Sequence, residues 1–264
     1  AQKVWKAFDC KNMRDYQELY NKSDVLLLAD VFENFRDACL RNYKLDPAWY
    51  FTLPGLSWDA LLKISQVELE LITDYDMILM FRKGTRGGIS TISNRYARAN
   101  NKYMGSEYDP SKPSSYIQYL DANNLYGVPM VGKLPTGDFA WMTEDELQHW
   151  FCLPPGKGCI LKVNKKYLDS LHDLHNDYPL AAESLQVNGI HKLIPNLHDK
   201  ENYVVHYENL KQYVALGLEI TKIHSGIIFD ESAWMEPYIN MNTKLRAQSK
   251  NEFEKLFYKT VNLA

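Results

Sequence analysis

Apolar residues fall at three- and four-residue spacing across residues 12–43, where Leu28, Val31, Phe32, Phe35, Ala38 and Cys39 share one side with charges between them. That spacing predicts a long amphipathic helix, stopped by Asp46-Pro47. Leu53-Pro54-Gly55 reads as a turn. A second helix is expected over residues 57–71, with Leu61, Leu62, Ile64 and Val67 on its apolar side. Residues 77–81 are a short apolar run, residues 82–88 a basic glycine loop and residues 89–104 polar and basic. A linker-like stretch, Asp109-Pro110-Ser111-Lys112-Pro113, precedes a second apolar run, residues 116–120, which reads as a buried strand. Further on, the pattern predicts a short helix over 141–150 starting near Thr143 or Glu144. Strands follow over 158–163 and 203–207, then a helix over 208–216 ended by Gly217. Residues 218–229 alternate as a strand with a turn at Ser225-Gly226, and residues 236–261 read as one long helix. There is no internal repeat and no low-complexity tract.

Composition narrows the class. The 264 residues are 45% hydrophobic and 24% charged, enough for one large or two smaller domains. Net charge is −3 and the pI about 6.2, so any nucleic-acid groove must be local and not a property of the whole surface. Cys10, Cys39, Cys152 and Cys159 show neither a disulfide framework nor zinc spacing, and an intracellular, reducing compartment (nucleus or cytoplasm) is expected. No stretch approaches 18 apolar residues and no signal peptide is read. The chain opens on Ala-Gln-Lys and closes just after an amphipathic helix, which reads as an internal piece of something longer.

The strongest candidate chemistry lies at residues 119–127, where the apolar run ends in Asp121 and an aromatic residue, Tyr126, follows five positions later. A carboxylate at the end of a buried strand is rigidly aimed, which suits a divalent-metal ligand that handles phosphates. The alternative is an Asp that caps the next turn, with Tyr126 as core. Tyr20 and Asp24 lie four apart, on one face of a helix turn. A helix N-terminus capped by Ser23 or Asp24 is the simpler reading of this pair taken alone. Arg86-Gly87-Gly88 offers charge and open backbone to phosphates, or is an ordinary glycine turn. Arg95, Tyr96, Arg98, Lys102 and Tyr103 mix cations with aromatics as single-strand binders do, or form a solvated loop. Lys244, Arg246, Lys250, Lys255 and Lys259 form a basic helical series suited to a triphosphate, or a solvated face. His172 and His175 read as structural, and no nucleophile–base pair or P-loop is present.

These elements, in this order, resemble family B DNA polymerases of the protein-primed type, as found in polinton/Maverick elements and related DNA viruses. Residues 121–127 resemble motif A, Asp-x-x-Ser-Leu-Tyr-Pro, with Asn124 for Ser and Gly127 for Pro. Tyr20 and Asp24 resemble the third exonuclease motif. Thr85 to Gly88 resembles the Tyr-x-Gly-Gly loop, with Thr85 for Tyr. Residues 253–259 resemble the run into motif B, with Leu263 where Asn is expected. The resemblance implies Asp121 as ligand of the catalytic Mg²⁺ or Mn²⁺ and Tyr126 as the residue that rejects a ribose 2′-OH. It further implies nucleotide contacts from Asn124, Leu125, Tyr126, Lys259 and Arg246, and DNA contacts from Arg86, Gly87 and Gly88. Asp24 would bind metal and Tyr20 would orient water in a 3′–5′ exonuclease.

The expected fold is α/β: the end of an RNase H-like exonuclease domain over 1–48, a template-contact linker over 49–115, a palm with an antiparallel sheet and an insertion over 116–233, and the start of helical fingers over 234–264. The insertion, 158–228, falls where protein-primed enzymes grip template or terminal protein. Template and primer DNA, dNTPs and a terminal protein primer are the implied partners. The first two exonuclease motifs and motif C, with its second polymerase carboxylate, are not in this sequence. Two readings therefore stand beside the polymerase: an inactive mobile-element remnant acting at most as a DNA-binding module, and a standalone exonuclease.

Overall fold

The computed structural model describes residues 1–122 and 124–263. The chain packs as two compact units: one of residues 1–67, 126–131 and 234–264, the other of residues 68–125 and 132–233.

The first unit is helical. After a short helix α1, Gln2–Ala7, the long helix α2 runs Met13–Tyr43. Asn12 caps it, its side-chain oxygen accepting from the Arg14 and Asp15 N–H groups. The expected Ser23 or Asp24 cap is therefore corrected: both residues lie mid-helix, and Ser23 Oγ donates back to Leu19 O at 2.9 Å. Lys44 ends α2 in the left-handed region, ahead of Asp46, which takes a bidentate ion pair from Arg36. Helix α3 spans Leu53–Ser65, so Leu53-Pro54-Gly55 is its first turn and not a separate one. Thr52 caps it and proline tolerates the first turn, where its missing N–H has no intrahelical acceptor. It stops at left-handed Gln66, short of the expected residue 71.

The expected single helix over 236–261 is two. α9, Glu236–Gln248, and α10, Glu252–Val261, are separated because Ser249 is extended and Asn251 accepts from Glu254 N at 2.8 Å as an N-cap. A capping side chain outcompetes helix continuation locally. The core of this unit joins Cys39 and Tyr43 of α2 to Leu56 and Leu61 of α3 and to Tyr238, Ile239, Phe257 and Val261. A buried polar chain links its helices: Tyr43 Oη donates to Asn242 Oδ1 at 2.8 Å and Asn242 Nδ2 to Asn262 Oδ1 at 2.9 Å. The apolar stripe of α2 is only half used. Phe35, Cys39 and Tyr43 pack, while Leu28, Val31 and Phe32 are exposed. A periodic stripe states which face would bury, not that a partner covers its whole length.

The second unit holds an antiparallel sheet of order β1-β6-β2-β5, with β1 Leu134–Trp141, β2 Lys157–Lys166, β5 Lys200–His206 and β6 Glu219–Ser232. Alternation sorts its faces. Ile160, Val204, Ile227 and Phe229 pack under helix α4, Tyr75–Gly84, through Met77 and Met80. Cys159, Leu161, Val163, Val205 and Ile228 face the opposite core with Trp150 and Leu210. That side carries helix α6, Glu144–Gln148, with a full capping box from Thr143 and Glu146, and helix α8, Tyr207–Ala215, which ends before left-handed Gly217. A separate hairpin pairs β3, Glu183–Val187, with β4, Ile190–Ile194, through left-handed Asn188-Gly189. That dipeptide is a primed-turn signal which the pattern reading passed over.

Two strand expectations are corrected. Ser225-Gly226 is no turn; β6 runs straight through it. Gly226 is there for closeness: a Cβ would stand 2.8 Å from Leu161 Cδ2 and against Met142 Sδ. Residues 116–120 do not form a buried strand; Tyr116, Ile117, Tyr119 and Leu120 are exposed and carry no ladder among the described residues. Apolarity gives a run reason to bury, but a strand also needs a neighbour for its N–H and C=O groups. The edges of the four-stranded sheet are β1 and β5.

Candidate functional site

Asp121 follows that exposed extended run and is itself exposed, with no hydrogen bond or ion pair among the described residues. Among the described residues its side chain caps no turn. Asn123 lies outside the described residues. Asn124 is left-handed at φ 53°, a conformation asparagine accepts more readily than most residues, and it turns the chain into Leu125 and Tyr126. Tyr126 precedes the one-turn helix α5, Gly127–Met130, with its ring exposed and not in a core. The chain passes from the second compact unit to the first between Leu125 and Tyr126.

The basic glycine loop is anchored more firmly than the sequence suggested. Arg82 and Lys83 sit in the last turn of α4, and Thr85 closes it with N–H and Oγ1 both donating to Phe81 O. Arg86 then reaches across: Nη1 donates to Val204 O at 2.7 Å and to Gly84 O at 3.1 Å, and the guanidinium lies 3.9 Å from the Tyr203 ring centroid. This pins the start of the loop to β5. Gly87 and Gly88 stand in open space.

Beside this clamp is a feature that sequence reasoning missed. Lys165 is buried, with Nζ 3.8 Å from the Tyr203 ring centroid and 4.3 Å from that of Tyr213 and no hydrogen-bond acceptor. Burial above all, then the neighbouring Arg86 and Lys200 cations, push its ammonium from its ordinary 10.5 down to about 7, against the pull of Glu183. Lys200, also buried, is paired with Glu183 at 2.9 Å and with Asn196. Arg82, Lys83, Arg86, Glu183, Asn202 and Tyr203 line a groove of about 410 Å³ here. Nothing in sequence marks Lys165, since its aromatic neighbours come from β5 and α8; its place in the alternation after Leu161 and Val163 is the only trace.

Tyr20 and Asp24 are exposed on α2, one turn apart, without a hydrogen bond to each other or to any described residue. Arg246 and Lys259 are exposed but lie on different helices, α9 and α10, so the continuous basic face expected of one helix is not formed. His175 is buried against Tyr167 Oη at 2.8 Å, a structural role. The described residues contain no group of three His, Cys, Asp or Glu side chains close enough to hold a metal by themselves. All four cysteines are free thiols.

An α/β chain with an antiparallel palm-like sheet, helices and an Asp-x-x-x-Leu-Tyr segment defines a class, and the comparison with known families agrees. The family described as DNA polymerase type B, organellar and viral, matches residues 2–262, and the chain belongs to it. Among solved structures it is similar to the phi29 DNA polymerase complexed with primer-template DNA, a post-translocation binary complex, with a TM-score of 0.52 and 11% sequence identity. The match covers 81% of this chain and 34% of that one, so the chain spans about a third of that polymerase's length. At that identity the likeness is one of fold. No curated protein matches the sequence.

Proposed function

We propose that this chain forms part of a DNA-directed DNA polymerase of the protein-primed type, extending a primer 3′-OH, or a protein hydroxyl at initiation, with dNTPs. The observation that carries the reading is family membership across almost the whole chain. In the reaction the hydroxyl oxygen attacks the α-phosphorus, a new P–O bond forms, the bond from the α-phosphorus to the α,β-bridging oxygen breaks, pyrophosphate leaves and the hydroxyl proton passes to water. A bound Mg²⁺ or Mn²⁺ supplies charge neutralisation on the phosphates and lowers the cost of ionising the attacking hydroxyl. Asp121 fits such an ion: its carboxylate is solvent-facing and no cation competes for it among the described residues. The described residues hold no three-ligand protein cluster, so Asp121 would be this chain's contribution to holding the ion, in keeping with Mg²⁺ sites that use one or two carboxylates.

Tyr126 would stand against the incoming sugar and disfavour a 2′-OH, with Asn124 and Leu125 beside it. Lys259 and Arg246 would neutralise triphosphate, and Arg86, Gly87 and Gly88 would contact DNA. Tyr20 and Asp24 would serve a 3′–5′ exonuclease, and the segment 158–228 would meet template or a terminal protein. The layout proposed is exonuclease end over 1–48, linker over 49–115, palm over 116–233 and fingers from 234. A second reading, a DNA-binding remnant without catalysis, is favoured by the lack of any group of three metal-ligating side chains among the described residues.

Metal-dependent binding of a dNTP in the presence of primer–template DNA separates the two. Wild-type protein should bind with Mn²⁺ or Mg²⁺ and lose that binding in Asp121→Ala. Binding of DNA alone, with no metal-dependent nucleotide term in a folded wild type, selects the remnant.

A further inference from the structure

From residue 82 to 106 the sequence carries six cations, Arg82, Lys83, Arg86, Arg95, Arg98 and Lys102, and no Asp or Glu, in a chain whose net charge is −3. Such a tract could be a solvated loop. Its structure argues otherwise on two counts. The part that follows the glycines is built around a polar hub. Asn100 Nδ2 donates to Asp109 O at 2.9 Å and to Pro113 O at 3.2 Å, its Oδ1 accepts from Asp109 N at 2.9 Å, and its backbone pairs with Ser115 in both directions. Buried Asn101 adds a bond to Ser115 O at 3.0 Å and caps the 3₁₀ turn Lys102–Glu107 through Tyr103 N. Arg98 ties the incoming segment to that turn through Glu107 at 3.0 Å.

The scaffold presents aromatic rings instead of burying them. Tyr96 is 77% and Tyr103 79% exposed, and Lys102 Nζ lies 5.3 Å from the Tyr103 ring centroid. Arg95 and Lys102 have no acidic partner among the described residues, whereas Arg98 and Lys112 do. A half-buried hydrogen-bonded hub in a loop that carries exposed tyrosines and unpaired cations satisfies the two demands of a single strand: phosphates to neutralise and unstacked bases to receive. A duplex offers the phosphates but keeps its bases stacked.

We infer that the Asn100-centred loop is a binding platform for single-stranded DNA, with Tyr96 and Tyr103 as stacking surfaces and Arg95 and Lys102 as phosphate contacts. The choice of DNA over RNA rests on the polymerase reading; the platform itself does not. It lies outside every residue assigned above to catalysis, nucleotide or the Arg-Gly-Gly contact.

The test is fluorescence anisotropy of a labelled oligothymidylate with the full chain, across a salt series, against a duplex of equal length and an oligouridylate. Tyr96→Ala/Tyr103→Ala should weaken oligothymidylate binding at least five-fold for each ring that stacks and leave duplex binding nearly unchanged. Arg95→Ala/Lys102→Ala should flatten the slope of log affinity against log salt by about 1.4, the value for two lost single-strand phosphate contacts. Exposed positions leave the fold intact, which circular dichroism verifies. Unchanged affinity and slope in both variants overturn the platform. An equal loss for duplex and single strand overturns the stacking assignment and with it the inference, and tighter oligouridylate binding overturns the choice of DNA. Metal-dependent dNTP binding, sensitive to Asp121→Ala, reports separately on the polymerase reading.

Discussion

Replacing Lys165 with methionine should stabilise the second compact unit at neutral pH, contrary to the usual cost of a core substitution. The folded-state fall from 10.5 to about 7 means the ammonium is disfavoured in place relative to the unfolded chain. At about 1.4 kcal/mol per pH unit this is about 5 kcal/mol, an upper bound. Cation–π contacts with the Tyr203 and Tyr213 rings return about 1–2 kcal/mol each when desolvated. The net penalty near pH 7 is therefore about 2 kcal/mol, and Lys165→Met, similar in length and apolar, removes it along with the repulsion on Arg86. For a unit of this size that corresponds to a rise in Tm of about 4–8 °C.

The sign with pH follows from a lowered lysine. Below about 7 both folded and unfolded states hold the proton and the penalty is constant. Between the folded-state value, about 7 before the ring contacts raise it, and 10.5 only the unfolded state holds it, so wild type gains stability as pH rises and the advantage of the variant shrinks. The groups facing Lys165 are Arg86, Lys200, Glu183, Tyr203 and Tyr213, and each is retained in the variant. Urea unfolding by tryptophan fluorescence, variant minus wild type at about pH 7 and about pH 9.5, reads both claims. The difference format matters because the buried thiols Cys39 and Cys159, pushed up to about 12 by burial, weaken both proteins alike in alkali. A variant less stable than wild type at pH 7, or a difference independent of pH, refutes the reasoning.

Two other substitutions test the packing. Gly226→Ala places a methyl 2.8 Å from Leu161 and against Met142 in mid-strand, and should cost about 1–3 kcal/mol in urea unfolding; a neutral result would show that the sheet does not need this close approach. Asn251→Ala removes the cap of α10 and should cost about 1 kcal/mol with a loss of helical circular dichroism. Were residues 236–261 one continuous helix, the same change would raise stability, because alanine is the better interior residue, so the sign of the effect decides.

Much of the fold was legible because its signals are local. The period of α2, the Thr143 cap of α6, the apolar runs of β2 and β5 and the stop at Gly217 depend on residues within a turn or two of each other, and the structure keeps each close to where the pattern puts it. The identity of the family was legible too, through the order of Tyr20 and Asp24, Arg86 to Gly88, and Asp121 to Tyr126 along the chain. What was not legible needed a distant partner. Whether residues 116–120 become a strand depends on a neighbouring backbone, which apolarity does not encode. Whether Gly226 marks a turn or a close approach depends on Met142 and Leu161. Arg86 is a clamp because β5 brings Tyr203 and the Val204 carbonyl to it across more than a hundred residues of chain, and the same tyrosine ring makes Lys165 a buried cation. Sequence by itself determined the elements whose signals are local, and the family, since propensity, capping and motif order are carried by near neighbours. Tertiary structure alone decided which charges are buried, paired or exposed, because solvation is set by whatever the fold packs around a group.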